Sequence, residues 1–491
     1  MRPHPHLYEI NTWPWLDDLS RRSGRPLTLG GVPDREWDAL RDRGIDLVYL
    51  MGIWERSPFG RQIALNNPPL FNAFDDALPD WTANDVAGSA YCISGYQPDP
   101  RVGTWDDLVA VRRKLHARGM KLIVDFIPNH TGFDHPWLRS DPDRYVEASL
   151  AAFRSNPNAF RAIEVASGDV RLIACGRDPF FAPWNDVAQL DYSNPETRAA
   201  MVDELQQLSR LADGARCDMA MLVLSDVFGE TWKGHLRAPL PETEFWVEAR
   251  SAVPAFILLA EVYWDLEWRL QRLGFDFTYD KRLYDRLVHS RATDVRGHLM
   301  AQSDYQRRSA RFIENHDEAR SVVVFRDRVR AAATIISAVP GLRFFYQGQI
   351  EGRTDRLPVH LGRWRHQPID ESLRRFYDRL LAVVNDEVFH DGEWQLLSVR
   401  SAGDDSDADL VAWRWLLRGA LRVVVVNLGG RTAQGLVQLS AELDAMARSE
   451  IVVFDDQLNQ KEYSWSRAAI DEHGLYVRLE KGSAHVFRVT S

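Results

Sequence analysis

Short apolar runs alternate with amphipathic stretches along the first three-quarters of the chain. Residues 45–52 and 120–126 are runs in which almost every position is apolar. Such runs are typical of strands that are buried on both faces of a parallel sheet. Between them, Thr104 followed by Asp107 predicts the capped start of a helix, and Gly119 predicts its end. The pattern therefore predicts two parallel strands joined by a helix.

The same alternation continues toward the C-terminus. Further strands are predicted at 7–11, 214–220, 257–263, 275–279, 311–315 and 343–346, with helices at 196–211, 284–300, 327–337 and 373–384. Together with the first two runs this gives eight strands separated by helices. That pattern predicts an α/β protein built on a (β/α)8 TIM barrel.

Two parts of the chain do not fit a simple barrel. Residues 131–190, rich in Pro, Asp and aromatic residues, are too long for an ordinary loop and predict a functional insertion after the third strand. From about residue 390 short strands such as 421–427 and 450–454 predict a separate antiparallel β domain. The predicted division is 1–130 with 191–389 for the barrel, 131–190 for the insertion and 390–491 for the C-terminal domain.

Composition narrows the possible partners and the compartment. With 45% hydrophobic and 26% charged residues in 491, the chain has the composition of a globular protein. A net charge of -10 repels a phosphate backbone, so nucleic acid is not an expected partner. There is no apolar N-terminal segment and no long apolar run, and the three cysteines lack zinc or disulfide spacing. We therefore expect no membrane partner and a cytoplasmic location.

Candidate chemistry lies where the predicted strands end, because barrel enzymes carry their active sites at the carboxyl ends of the strands. Asp218 ends one strand, and Arg216 on the same face is expected to keep its carboxylate ionised, which suits a nucleophile. Glu261 ends an apolar strand that should raise its pKa, which suits a general acid. Asp317 follows His316 as a third carboxylate. This combination indicates glycosyl transfer.

Two other interpretations stay open at this point. A single carboxylate at a strand end more often caps a helix or anchors a loop, and Asp125 fits that description. A metal-dependent barrel hydrolase is the second alternative. It requires several inward histidines on different strands, and His130 and His316 are the histidines at such positions.

Four ordered segments carry a resemblance to a known family. They are Asp-Phe-Ile-Pro-Asn-His at 125–130, Gly-Ala-Arg-Cys-Asp at 214–218, Glu-Val-Tyr-Trp at 261–264 and Asn-His-Asp at 315–317. In order and spacing they resemble glycoside hydrolase family 13, the α-amylase family. The resemblance implies a barrel with a small domain B after strand three and a C-terminal β-sandwich. It also implies a retaining hydrolase that acts on α-glucan oligosaccharides or small α-glucosides through a covalent glycosyl-enzyme.

The resemblance also assigns roles to residues. It implies Asp218 as nucleophile, Glu261 as acid/base and Asp317 as the carboxylate that grips sugar hydroxyls. Further substrate contacts are implied for His130, Arg216, His316 and the aromatic platform Tyr96. Asn129 matches a calcium ligand of the family, so a structural calcium ion is possible, although the same amide can simply fix a loop. No cofactor is expected for the chemistry itself.

The chain departs from the family mainly where the substrate binds. Met221 and Leu222 stand where many amylases carry Lys-His, which predicts weaker binding of long glucans unless these side chains only pack in the core. One or two of the loop tryptophans are expected to stack on sugars: Trp54, Trp81, Trp137, Trp184 and Trp264. A transferase or isomerase with the same three carboxylates is the near alternative. A non-catalytic carbohydrate-binding or interaction module is the alternative from another class, and the three retained carboxylates argue against it.

Overall fold

Eight parallel strands close into a barrel. The computed structural model describes residues 1–444 and 449–490. The barrel strands are β1 His6–Asn11, β2 Leu47–Met51, β3 Lys121–Phe126, β4 Gly214–Cys217, β5 Ile257–Ala260, β6 Phe277–Tyr279, β7 Ser309–Arg311 and β8 Leu342–Tyr346. Strand β1 pairs in parallel with both β2 and β8, which closes the ring. The predicted TIM barrel is confirmed.

Burial explains why these segments form strands. Every residue of β2 and of β8 is buried, so the apolar runs pack both into the barrel interior and against the surrounding helices. Buried polar residues lie at the carboxyl ends of several strands, for example Asn11 at the end of β1 and Asp125 in β3. This end of the barrel therefore carries buried polar groups.

Helices surround the barrel and fill the added segments. Their bounds are Thr12–Ser23, Asp34–Asp42, Pro58–Leu65, Pro68–Ala77, Trp105–His116, Trp137–Ser140, Leu150–Ser155, Pro195–Leu211, Ser225–Thr231, Phe245–Ala252, Glu267–Arg272, Lys281–His289, Ala292–Leu299, Ser303–Arg307, Ser321–Phe325, Val329–Ala338, Glu371–Val384, Val388–Asp391, Ser440–Asp444 and Arg467–His473. The capping box of Thr104 and Asp107 is present as predicted. The prediction of a single helix at 284–300 is wrong, because two helices, Lys281–His289 and Ala292–Leu299, occupy this segment. The backbone N–H of Arg291 donates to Asp294, and this contact starts a second helix.

Several strands end earlier than the sequence pattern predicts. The apolar character continues to 220 and 263, yet β4 ends at Cys217 and β5 ends at Ala260. Met219 has a positive φ of 43°, which turns the chain out of the barrel directly after Asp218. Strand β7 ends at Arg311 rather than at 315, and Asn315 accepts the N–H groups of Asp317 and Glu318 in a tight turn. The barrel ends where the candidate site begins.

Two segments project from the carboxyl end of the barrel. Between β2 and β3, the strands Trp54–Arg56 and Ile93–Pro98 pair antiparallel, and the helices Pro58–Leu65 and Pro68–Ala77 lie between them in sequence. The sequence pattern predicted none of these elements. After β3, an antiparallel sheet contains the strands His130–Gly132, Trp184–Gln189, Val170–Gly176 and Phe160–Glu164 in that order. Both segments stand over the polar end of the barrel.

The C-terminal part forms a two-sheet β structure. One sheet contains Glu393–Leu397, Leu410–Leu417, Ala420–Asn427, Ala484–Thr490, Ile451–Asp456 and Lys461–Ser466, and the other contains Val399–Arg400, Ala433–Val437 and Leu475–Leu479. A separate hydrophobic core fills the space between them, which confirms the predicted β-sandwich. Within the part of the chain that the structure describes, none of the helices combines the length and apolar character needed to cross a bilayer.

Candidate active site

Strand register brings the two central carboxylates together. Cys217 of β4 lies opposite Ala260 of β5 in the parallel ladder. The residues that follow, Asp218 and Glu261, therefore leave the barrel side by side at the same level. Both side chains are more than nine-tenths buried.

One guanidinium bridges these carboxylates. Arg216 Nη1 lies 2.7 Å from Asp218 Oδ1, and its Nη2 lies 2.9 Å from Glu261 Oε2. The Arg216 side chain is fully buried and faces the barrel interior from β4. An arginine holds a planar pair of donors in fixed geometry, so it sets the relative position of the two carboxylates as well as compensating their charge.

The surroundings of Glu261 favour its neutral form. Burial raises the pKa of Glu261 to about 7; Arg216 opposes the shift, and the charges of Asp218 and Asp317 add to it. Glu261 Oε2 also accepts the backbone N–H of Met219 at 2.7 Å, and the Tyr263 hydroxyl donates to Oε1 at 2.9 Å. This confirms the predicted direction of the pKa shift. A carboxyl group with this pKa holds its proton near neutral pH.

The pKa of Asp218 is also raised above its usual value. Burial is the main cause, and the Arg216 guanidinium opposes it through charge and a hydrogen bond. Arg216 therefore favours the ionised carboxylate, as expected, while burial sets the direction of the net shift. Asp218 and Glu261 differ in their contacts. Arg216 donates a hydrogen bond to Asp218, whereas Glu261 also accepts the Met219 N–H and the Tyr263 hydroxyl.

The third carboxylate, Asp317, lies next to His316. Although burial raises its pKa, the His316 charge and hydrogen bond prevail and lower the pKa of Asp317 to about 2. Asp317 Oδ2 lies 3.0 Å from His316 Nε2, and 42% of the Asp317 side chain is exposed. The third carboxylate is therefore ionised and accessible from the cavity.

These carboxylates open into a cavity of about 780 Å³. Its walls come from the end of the barrel, from helix Pro58–Leu65 and from strand Trp184–Gln189 of the inserted sheet. Asp218, Glu261 and Asp317 all line it. This volume lies in the range of small-molecule binding sites. A single opening thus presents all three predicted carboxylates to one ligand.

Tyr91 lines the cavity, whereas Tyr96 does not. Tyr91 stacks on His316 with the ring centroids 5.4 Å apart. The Tyr96 hydroxyl is instead engaged with the backbone of Ile127, donating to its carbonyl and accepting its N–H. Tyr96 lies outside the residues that line the cavity. The predicted platform role of Tyr96 is therefore corrected.

His130 lines the cavity, but protein partners engage both of its ring nitrogens. Nε2 is 3.2 Å from the Tyr91 carbonyl, and Nδ1 is 3.2 Å from the Asn129 amide nitrogen. Burial lowers the pKa of His130 to about 4, so the ring is neutral at pH 7. This pairing fixes the tautomer with the proton on Nε2, since the carbonyl can only accept.

The Asn129 side chain pairs with that of Gln189. Its carbonyl oxygen accepts from Gln189 Nε2 at 3.0 Å, and its Nδ2 faces Gln189 Oε1 at 3.3 Å. Across residues 1–444 and 449–490, no group of three or more His, Cys, Asp or Glu side chains is placed to hold a metal ion. The contacts of Asn129 with Gln189 join the segment after β3 to the inserted sheet.

The remaining predictions divide between site and core. Trp184 lines the cavity, and Trp264 lines an adjoining one of about 410 Å³. Met221 and Leu222 are buried and lie outside the cavity lining, so they pack in the core. The expectation that long glucans bind weakly required these two side chains to face the substrate, so the structure does not support it. Asp125 anchors a loop by accepting Gly52 N–H at 2.7 Å, as its alternative interpretation predicted.

Sequence reasoning missed several residues of the site. Tyr91 contacts His316 Nε2 at 2.6 Å through its hydroxyl, and Glu9 on β1 contacts His316 Nδ1 at 2.5 Å. Met219 and Tyr263 hold Glu261. Glu9 is an acidic residue between the apolar Tyr8 and Ile10 of β1, and that position was a usable signal. Tyr91 precedes the strand Ile93–Pro98 and Tyr96 lies within it, and the sequence pattern did not show which of them reaches the site.

Separate substitutions of Tyr91 and Tyr96 test which of the two tyrosines contributes to turnover. Tyr91→Ala is expected to lower kcat/KM on an α-glucoside by about 10- to 100-fold, since it removes an aromatic face and a hydrogen bond to His316. Tyr96→Phe, which keeps the ring and loses only a backbone contact, is the matched control and should stay within about threefold of wild type. A larger loss in Tyr96→Phe than in Tyr91→Ala would reverse the assignment.

A comparison with protein families decides the relationship. The model described as the alpha amylase catalytic domain matches residues 50–413. The chain belongs to the α-amylase family. The match covers β3 to β8 and the inserted sheet, and it contains Asp218, Glu261 and Asp317.

The curated relatives of this α-amylase family chain are distant. Alpha-amylase MalA of Haloarcula japonica is 25% identical over 370 residues, which are 72% of this chain and 50% of that protein. The trehalose synthase/amylase TreS of Mycobacterium tuberculosis is 28% identical over 276 residues, 52% of this chain and 39% of that protein. The chain thus spans half or less of the length of these two relatives.

Solved structures show the same fold over the full length. A noncanonic maltogenic alpha-amylase, AmyB of Thermotoga neapolitana, superposes with a TM-score of 0.69, and the match covers 99% of each chain. Its sequence identity is 17%. At this identity the likeness establishes the arrangement of barrel, insertion and C-terminal sandwich, and it leaves substrate choice to the residues of the cavity.

Proposed function

We propose that the protein is a retaining α-glucoside hydrolase that acts on α-glucan oligosaccharides or small α-glucosides. The observation that carries the proposal is the Arg216 bridge between Asp218 and Glu261 inside one cavity. Retaining glycosidases require two neighbouring carboxyl groups of unequal acidity, one as nucleophile and one as acid/base. The raised pKa of Glu261, about 7, supplies the acid.

In the first step Asp218 attacks the anomeric carbon while Glu261 gives its proton to the leaving oxygen. The glycosidic bond breaks, and a β-linked glycosyl ester forms on Asp218. Asp317, ionised and exposed to the cavity, accepts hydrogen bonds from sugar hydroxyls as positive charge develops on the ring. Tyr91 offers its ring to the apolar face of the sugar.

In the second step Glu261, now ionised, takes a proton from water, which attacks the anomeric carbon. Asp218 leaves as a carboxylate, and Arg216 compensates the charge that returns to it. The product regains the α configuration because two inversions have occurred. Tyr263 and the Met219 N–H hold the Glu261 carboxyl in place through both steps.

Two measurements test the function: the anomeric configuration of the first product and the cleavage of a panel of oligosaccharides. Proton NMR of the earliest product from maltotriose or a 4-nitrophenyl α-glucoside should detect the α-anomer. A first product of β configuration would overturn the double displacement. A purified enzyme that cleaves none of a panel of maltooligosaccharides, trehalose, sucrose and isomaltose would overturn the hydrolase proposal.

The pH profile of kcat/KM should follow the two carboxylates. Glu261 is competent as an acid only below its pKa of about 7, so kcat/KM should fall by about tenfold for each pH unit above 7. Asp218 must be ionised, and its raised pKa should place the acidic limb above the usual range of an aspartate. A profile that is flat from pH 6 to 9 on a substrate with a poor leaving group would contradict this assignment.

A glycosyl transferase of the same mechanism is the second candidate, and the adjoining cavity favours it. This cavity shares Met219 and Tyr263 with the first and is lined by Trp264 and Phe181. An acceptor sugar bound there would lie near Glu261 and compete with water. Relatives of this chain include a protein named trehalose synthase/amylase. Product chromatography with and without added glucose or maltose separates transfer from hydrolysis.

A further inference from the structure

His316 is enclosed between two carboxylates from different parts of the barrel. Glu9 of β1 lies with Oε1 2.5 Å from His316 Nδ1, and Asp317 Oδ2 lies 3.0 Å from Nε2. The side chains of Glu9 and His316 are fully buried. A neutral imidazole has one N–H, so it would turn an unprotonated nitrogen toward one of these two carboxylates. An imidazolium donates to both.

We propose that Glu9 is a positioning residue that keeps His316 as an imidazolium, donating from Nδ1 to Glu9 and from Nε2 into the active site. Glu9 itself lies behind the ring and acts through it. The significance of this arrangement for turnover rests on the proposed function, whereas the protonation of the ring does not.

The other groups around His316 are consistent with a cation. Tyr91 stacks on the ring and places its hydroxyl 2.6 Å from Nε2, and the Tyr49 hydroxyl lies 3.4 Å from that of Tyr91. Asp125 of β3 adds a further negative charge. Arg216 of β4 is the opposing cation, 4.9 Å from the Tyr91 ring centroid. Its charge is already shared by Asp218 and Glu261.

The balance of these effects favours the charged ring. Burial lowers the pKa of His316, but the charges and hydrogen bonds of Asp317 and Glu9 prevail and raise it well above its usual value. His130 in the same cavity provides a contrast, because it faces a carbonyl and an amide and is neutral. The two histidines of the site thus take opposite protonation states, each set by its partner atoms.

A fixed imidazolium has two uses in this site. It keeps Asp317 ionised, and its Nε2–H is directed to the cavity edge where Tyr91 and Asp317 meet. Without Glu9 the ring has one carboxylate partner and is free to lose its Nδ1 proton near neutral pH. The Glu9 carboxylate therefore extends the pH range over which the donor is present.

Nitrogen-15 NMR of histidine-labelled protein tests the proposal directly. The His316 signal is assigned by its loss in His316→Gln. In the wild type both ring nitrogens should stay protonated from pH 6 to 9. In Glu9→Gln, which keeps the shape and a hydrogen-bond acceptor, the titration midpoint should fall by about 1–3 units and enter this range.

Glu314→Gln is the matched control. Glu314 is a buried glutamate in the segment after β7 that pairs with Arg320 at 3.1 Å and lies outside the cavity lining. Its replacement should leave the His316 titration unchanged. The proposal is overturned if His316 of the wild type is neutral at pH 7, or if Glu9→Gln titrates like the wild type. Both NMR results test the proposal even if the protein hydrolyses no glycoside.

The pH dependence of kcat/KM tests whether the protonation of His316 affects turnover. The ratio of kcat/KM between Glu9→Gln and wild type should fall by about tenfold between pH 6 and pH 8, the effect of a lost hydrogen bond from a charged donor. A purely structural role of Glu9 would lower kcat/KM equally at both pH values. That result would contradict the positioning role.

Discussion

Asp218→Asn is expected to lower kcat/KM by about 10⁴-fold or more while the protein keeps its fold. Asparagine preserves the size of the side chain and a contact to Arg216, but its amide cannot form the glycosyl ester. The loss should appear on every substrate, including those with excellent leaving groups, since the nucleophile is needed whatever departs. Initial rates on a 4-nitrophenyl α-glucoside and on maltotriose measure it.

Asp191→Asn provides the control for this variant. Asp191 is buried, accepts the Ser193 N–H and hydroxyl at 2.9 and 2.6 Å, and lies outside the cavity lining. Its activity should stay near that of the wild type, which shows that loss of a buried aspartate charge is not enough to stop turnover. An Asp218→Asn enzyme with half the wild-type rate would sink the nucleophile assignment.

Glu261→Gln is expected to show a loss that depends on the leaving group. On maltooligosaccharides, which need a proton, kcat/KM should fall by about 10²- to 10⁴-fold. On α-glucosyl fluoride the first step needs no proton, so the glycosyl-enzyme should form and accumulate. Azide needs no general base and should restore its breakdown, giving α-glucosyl azide by inversion of the β-linked glycosyl ester.

As a control, the rates on α-glucosyl fluoride and on maltotriose are measured with azide and with chloride at equal ionic strength. Asp218→Asn should respond to neither, because it forms no intermediate. Equal losses of Glu261→Gln on the fluoride and on maltotriose, without an azide response, would show that Glu261 is not the acid/base.

The sequence predicted the barrel and its carboxylates because both are local signals. Apolar runs of the β2 type identify buried strands, and polar residues at their ends identify the edge that carries chemistry. Asp218, Glu261 and Asp317 were found in this way, and the structure places all three at one cavity. Their relative distance depends on the register of β4 and β5, which a linear pattern does not contain.

What the sequence did not predict depends on contacts between distant segments. Tyr91 and Tyr96 are both plausible platforms in the chain, and only the fold decides that Tyr96 bonds to Ile127 while Tyr91 reaches His316. Met221 and Leu222 follow the nucleophile closely, yet the turn at Met219 directs them into the core. Glu9 and His316 are 307 positions apart and meet only when β1 closes the barrel against β8.

Trapping the covalent intermediate tests the central claim most directly. The enzyme is incubated with 5-fluoro-α-D-glucosyl fluoride, which slows hydrolysis of the glycosyl-enzyme more than its formation, and is then digested and analysed by tandem mass spectrometry. The account predicts one fluoroglucosyl group, carried as an ester by Asp218, and none in Asp218→Asn. A label on any other residue, or turnover of α-glucosides with no trapped ester and a β-anomeric product, would contradict it.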